Sequence, residues 1–152
     1  MKQEFIDALI GICGKDYVYY SKEDVSGYLY DETEEFVRPK ACEDCLVVRP
    51  GTYEEVSKIL QWANETKTPI IPRGGGTGAC GAAIPTIPSV IMSMERFKDI
   101  VEVDETNMMI TCQTGVTLAK LNEYLNENVH ALYFPCHPGD EGAQVGGMCI
   151  EN

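Results

Sequence analysis

Positive charge is what this chain has least of: 12 lysines and arginines stand against 24 aspartates and glutamates, for a net charge of -12. Nucleic acids and anionic membrane surfaces attract basic proteins, so both are poor partners here. Long apolar runs are missing as well. None approaches the roughly 18 residues of a membrane span, and the start Met1-Lys2-Gln3-Glu4-Phe5 has no signal-peptide stretch. No internal repeat, low-complexity tract or long linker interrupts the 152 residues. Together these absences predict one acidic, soluble, cytoplasmic domain.

Cysteine is not scarce, but its pattern excludes a disulfide framework. There are seven, an odd number at mostly irregular spacing, and reduced thiols are the default in the cytoplasm. Cys42-Glu43-Asp44-Cys45 is a C-x-x-C pair that Cys136 and His137 would complete as a zinc site, yet the close pair is not repeated as in a zinc ribbon. No metal is assigned, and half-buried free thiols are the simpler expectation.

Glycine is abundant in one place. Ile70-Ile71-Pro72-Arg73 runs into Gly74-Gly75-Gly76-Thr77-Gly78-Ala79-Cys80-Gly81, with five glycines in eight positions. Residues without a Cβ let a ligand touch the main chain, and Arg73 adds a permanent positive charge, so the expected ligand is a phosphate or pyrophosphate. Gly76 to Gly81 matches G-x-G-x-x-G, but Pro85 and Pro88 stand where a nicotinamide-type Rossmann domain would run its helix. A Walker loop fails for want of a Lys-Ser or Lys-Thr pair. The bland alternative is a glycine-rich turn between two strands.

Periodicity organises the rest. Phe5, Ile6, Leu9, Ile10 and Cys13 predict an opening helix ending at Gly14. Lys15 to Lys40 reads as a loop-rich segment with one short helix after Ser21, and Asp31-Glu32-Thr33-Glu34-Glu35 as a solvated acidic surface. Leu46-Val47-Val48 reads as a strand. A capping box of Thr52 and Glu55 then opens a helix whose face is Val56, Ile59, Leu60 and Ala63, and Ile70-Ile71 closes a βαβ crossover that aims the glycine loop. Ser89–Ser93, Ile100–Val103 and Met108–Cys112 read as a meander or hairpin. Leu118, Leu121 and Leu125 mark a helix from near Thr117, and Ala131–Phe134 is a last apolar run.

A second loop lies in Phe134-Pro135-Cys136-His137-Pro138-Gly139-Asp140-Glu141-Gly142-Ala143-Gln144-Val145-Gly146-Gly147, where prolines and glycines again predict close approach of main chain to a ligand. His137 between two prolines is as well read as a loop-orienting residue as a catalytic one. Asp140 and Glu141 are too close in sequence to be named an acid pair.

The order βαβ, Pro-x-x-Pro-Arg-Gly-Gly-Gly-Thr-Gly, hairpin, helix, Pro-Gly-Asp-Glu-Gly-Ala-x-x-Gly-Gly resembles the flavin-binding domain of FAD-linked oxidases of the vanillyl-alcohol oxidase and p-cresol methylhydroxylase type. Within that group it is most similar to the glycolate oxidase flavoprotein subunit and D-lactate dehydrogenases. The resemblance implies an α+β domain of two subdomains, residues 1–73 and 74–152, with FAD between them. It implies that the backbone of Gly74, Gly75, Gly76, Thr77 and Gly78, beside Arg73, holds the pyrophosphate. Pro138, Gly139, Ala143, Gly146 and Gly147 would line the flavin and ribityl side. Relatives that tether FAD often carry histidine where this chain has Thr77, so non-covalent binding is implied.

Family members continue past Asn152 into the rest of the flavin domain and a substrate-binding cap. The resemblance therefore implies a truncated piece, or alternatively a natural short protein, with no catalytic residue of its own and an unfinished sheet near Leu132–Phe134 that invites self-association. The missing part of the same flavoprotein and an electron-transfer subunit are the implied partners. Two functions remain open: the FAD-binding piece of a 2-hydroxy acid oxidase or dehydrogenase, and a non-enzymatic nucleotide- or anion-binding module.

Overall fold

The computed structural model describes residues 2–129, 131–135 and 139–150. Cys136, His137 and Pro138 lie outside the described residues. The fold is α+β, as expected, with two sheets.

Helix α1 (Gln3–Cys13) buries Ile6, Leu9 and Cys13 and stops at Gly14, whose φ of 88° is open to glycine and costly for other residues. A strand of two residues, β1 (Val18–Tyr19), and a short helix, α2 (Lys22–Ser26), follow. Ser21 caps α2 by accepting from the Asp24 N–H. Strand β2 (Leu46–Val48) is wholly buried and leads to α3 (Tyr53–Thr66). The capping pair at α3 is real but reaches one residue further than a reciprocal box. Thr52 accepts from the Glu55 N–H at 3.1 Å, whereas the Glu55 carboxylate accepts from Gly51 at 2.6 Å.

Strand β3 (Ile70–Arg73) then delivers the glycine loop, and β4 (Val90–Ser93) slots between β2 and β3, parallel to both. The order β1-β2-β4-β3, with β1 antiparallel, makes one four-stranded sheet that takes a strand from beyond residue 73. One face of it (Leu46, Val48, Val90, Met92) packs on α1 and on Ile59 of α3, and a T-shaped Phe5–Trp62 contact at 5.1 Å ties the two helices together. Full burial of a side chain such as Ile59 is worth about 1.5–3 kcal/mol. The other face (Val47, Ile91) is covered by Val25, Leu29, Ala41 and Ile84.

Strands β5 (Ile100–Asp104) and β6 (Met109–Cys112) form a separate antiparallel hairpin. The expected three-strand meander is thus one strand shorter, a hairpin, because β4 pairs with the parallel sheet instead. Helix α4 (Leu118–Asn128), capped by Thr117, buries Leu118, Leu121 and Leu125; of these, Leu121 and Leu125 join Val116 and Val129 in the core shared with the hairpin. The last described element is α5 (Val145–Ile150).

Three expectations fail here. Leu60 is exposed; the inward face of α3 is Val56, Ile59, Trp62 and Ala63. Residues 131–135 form no strand, and Leu132 and Phe134 pack on the third core, so there is no open strand edge at this place. Asp31 and Thr33, read as part of a solvated acidic run, are buried, at 7% and 4% exposure.

Candidate cofactor site

The three parallel strands β2, β4 and β3 end on one side of the sheet, the side on which open α/β sheets bind ligands. Each delivers a charged residue there: Arg49 just past β2, Glu95 just past β4, and Arg73 at the end of β3. Arg49 pairs with Glu95 and donates to the Tyr19 hydroxyl. Tyr28 donates to Glu95 at 3.1 Å. Burial, reinforced by Glu95, pushes the Tyr28 hydroxyl up to about 12, so it stays a donor at neutral pH.

Arg73 stands over the Tyr28 ring at 5.8 Å and is only 8% exposed. Burial lowers its pKa, and Asp31 opposes that shift; a guanidinium nonetheless stays charged. Its Nη1 is buried with no hydrogen-bond partner. A buried cation with an unused donor is costly unless an acceptor arrives, and a phosphate oxygen is such an acceptor.

The glycine loop folds back on this guanidinium. Gly76 has φ of 76°, and a Cβ there would lie 2.7 Å from Arg73 Cζ. The second loop then meets the first. A Cβ on Gly75 would overlap the Gly142 carbonyl, Gln144 lies against Gly74, and the Thr77 methyl faces Gly142. Two glycine-rich stretches more than sixty residues apart in sequence therefore share one surface.

Local chemistry fixes the second loop. Asp140 accepts from the Gly142 N–H at 2.6 Å, an Asx-type turn. Ala143 and Glu141 carbonyls accept from Leu118 and Ala119 at the start of α4. Asp140 is thus a turn-former rather than one of an acid pair. Gly146 and Gly147, expected in a loop, lie in α5. A Cβ on Gly146 would stand 3.0 Å from Thr114 Cβ, so this glycine lets the helix close on residue 114, while nothing lies within 4 Å of a Cβ on Gly147. Ala143 is buried at 5%, Gly139 has φ of 90°, and Pro138 lies outside the described residues.

Two residues here were not legible in the sequence. Gln144 is 8% exposed with Oε1 unpartnered, and no local pattern marks it. Asp31 was hidden in the acidic run. Burial pushes its carboxyl up, but the hydrogen bond from the Thr33 N–H, the nearby Ala83 amide and the Arg73 charge outweigh that and hold it below the usual range. Its stabilisation is therefore present at neutral pH and is lost only as pH falls through that depressed value.

Cys13 and Cys45 lie in the cores on either face of the first sheet. Burial pushes the Cys13 and Cys45 thiols up to about 11, leaving them inert at neutral pH, and Cys45 donates to the Cys42 carbonyl at 3.1 Å. Among the described residues no helix is long and apolar enough to cross a membrane.

The fold is that of flavoproteins. A p-cresol methylhydroxylase solved with substrate bound superposes with a TM-score of 0.82 over 97% of this chain and 30% of its own, at 21% identity. The chain belongs to the FAD-binding domain family, whose model matches residues 45–152. It is 46% identical over 125 residues to a D-lactate dehydrogenase of Archaeoglobus fulgidus, covering 82% of this chain and 28% of that protein. It is 31% identical over 126 residues to the glycolate oxidase subunit GlcD of Bacillus subtilis, covering 82% and 26%. The chain spans less than a third of the length of these relatives.

FAD is the cofactor of this family, and the residues present fit it. Backbone is bared at Gly75 and Gly76 where a Cβ has no room, a buried guanidinium keeps an unused donor, and the Gln144 carbonyl oxygen keeps an unused acceptor.

Proposed function

We propose that the chain is the N-terminal part of an FAD-dependent dehydrogenase or oxidase of 2-hydroxy acids, of the glycolate or D-lactate type. The observation that carries this reading is the meeting of the two glycine loops beside Arg73, in a chain similar to a D-lactate dehydrogenase. The amides of Gly74, Gly75, Gly76, Thr77 and Gly78 hold the pyrophosphate, with Arg73 balancing its charge. Pro138, Gly139, Ala143, Gly146 and Gly147 line the flavin and ribityl side. The glycine loop at residue 74 marks the passage from the first FAD-binding subdomain to the second, although β4 returns to the first sheet.

When bound, FAD supplies the hydride-accepting ring, and the protein supplies binding and orientation. This chain binds and orients; the substrate-handling residues belong to the remainder of the same protein. An electron-transfer subunit, self-association and a cytoplasmic location complete the proposal.

The test is spectroscopic. The full-length protein is expected to purify yellow, and one of glycolate, D-lactate or D-2-hydroxyglutarate should bleach its flavin band anaerobically. A colourless protein that binds phosphate or nucleotides but not flavin would favour the anion-binding module instead. Attachment gives a second check. Thr77 offers no imidazole for a flavin bond, so acid denaturation should release all FAD into the supernatant; flavin left on the precipitate would refute non-covalent binding.

A further inference from the structure

Tyr28 stands between the ion pair at the ends of β2 and β4 and the arginine at the end of β3. Its backbone is fixed first: the Tyr28 N–H donates to Val25 O at 2.9 Å, and the flanking Val25 and Leu29 are buried against Val47 and Ile91 of the sheet. Its hydroxyl then donates to Glu95 Oε1 at 3.1 Å. Glu95 is itself held by Arg49, which also donates to the Tyr19 hydroxyl and lies 5.3 Å from the centre of that ring. The Tyr19 and Tyr28 rings lean together at 6.1 Å and 57°. A tyrosine fastened at its backbone, its hydroxyl and its ring has little rotamer freedom left.

The same ring lies under Arg73, 5.8 Å from the guanidinium carbon. Strand pairing with Ser93 sets the arginine's backbone, and its carbonyl accepts from the Met94 N–H at 3.0 Å, one residue before Glu95. Within about 6 Å of an aromatic face a guanidinium is attracted by the ring quadrupole, most strongly where water is excluded. Arg73 meets both conditions, being more than nine-tenths buried. Such a contact differs in kind from an ion pair. A carboxylate accepts the in-plane N–H groups of an arginine two at a time, whereas a ring engages the charge and leaves those donors free. Arg73 shows the result: Nη1 is buried without a hydrogen-bond partner among the described residues, and it lies 3.2 Å from where a Cβ on Gly76 would stand. The unused donor therefore sits against the glycine loop.

We propose that Tyr28 is a positioning residue of the cofactor site: its ring, anchored through Glu95, holds the buried Arg73 guanidinium against Gly76 while leaving a donor open for the cofactor's pyrophosphate. This rests on the reading of the glycine loop as the pyrophosphate cradle. Tyr28 acts through Arg73 and makes no cofactor contact of its own. Glu95 and Arg49 act one step further back, by keeping the ring from turning away.

The test is a double-variant cycle in the full-length protein, read by FAD titration of the flavin-free form and by its melting temperature. Tyr28→Leu should weaken FAD binding roughly five- to thirtyfold, the range of a desolvated cation–π contact. Beside Arg73→Gln, which removes the cation, the same leucine should cost less than about twofold, because its effect passes through the arginine. Tyr28→Phe keeps the ring and gives up only the bond to Glu95, so it should bind FAD more tightly than the leucine variant. If the leucine protein does not fold, the cycle is run with Tyr28→Phe, whose smaller loss should likewise vanish beside Arg73→Gln. A role in packing alone would lower the melting temperature and carry the same affinity penalty into the Arg73→Gln background. Wild-type affinity in Tyr28→Leu, or equal penalties in the two backgrounds, would overturn the proposal. Arg73→Gln binding FAD as tightly as wild type, or a wild type that binds none, would instead sink the cradle reading on which it rests.

Discussion

Valine at position 76 is expected to leave the full-length protein folded but without flavin. Gly76 has φ of 76°, where a β-branched residue is strongly disfavoured, and its Cβ would overlap the Arg73 guanidinium. The loop must move or the arginine must leave, and either change removes donors from the pyrophosphate. Hydrogen bonds to a charged group are worth about 1.5–3 kcal/mol each. Losing two weakens binding by roughly a hundredfold or more, enough for FAD to be lost during purification. The measurement is the ratio of flavin to protein absorbance, with circular dichroism to confirm folding. Full flavin content in a folded Gly76→Val protein would falsify the assignment of this loop.

Gly76 was legible because composition alone singles out its loop. The same holds for elements whose signals are local. Ser21, Thr52 and Thr117 each accept from the N–H three residues on and start a helix where one is expected, the latter two at the head of an apolar stripe. Gly14 ends the first helix for an equally local reason. The hairpin β5–β6 turns where Asp104 accepts from the Asn107 N–H.

What the sequence hid depends on partners far away along the chain. Strand β4 looks like a third member of the hairpin region, and only pairing with Leu46–Val48 and Ile70–Arg73 puts it in the parallel sheet. Asp31 sits in a run of acids that reads as surface; its burial is offset by an arginine forty-two positions on and an amide beyond the glycine loop. Gly146 and Gly147 have loop composition, yet a short helix forms there because Gly146 must lie close to Thr114. Gln144 carries no sequence signal at all. Its burial follows from the antiparallel bridge between residues 117 and 144.

Gly115→Ala should destabilise the protein more than any other single methyl group added at the described glycines, and the reason is the junction between the two sheets. Arg73 O accepts from the Met94 N–H at 3.0 Å, Met94 O from the Phe97 N–H at 2.9 Å, and Phe97 O from the Gly115 N–H at 2.7 Å. This relay runs from the end of β3 to the turn before α4. A Cβ on Gly115 would overlap Met94 O and stand 2.7 Å from Phe97 O. Both obstacles are backbone, so no side chain can swing aside, and Phe97 beside them is buried at 2%. Relief requires parting the two segments. Overpacking costs about 1–3 kcal/mol, and each buried backbone group left unpaired adds about 1–3 kcal/mol. A total of roughly 3–5 kcal/mol corresponds to a melting temperature lower by about 10 °C or more. Because Thr114 and Val116, the neighbours of Gly115, hold Gly146 and Val145 through backbone bonds, the second glycine loop should loosen too, and flavin affinity should fall with stability. Gly11→Ala is the control: that position lies within α1 with nothing within 4 Å of a Cβ, so the change should stabilise by about 0.5–1 kcal/mol. Equal melting temperatures for the two variants would show that the junction does not couple the sheets.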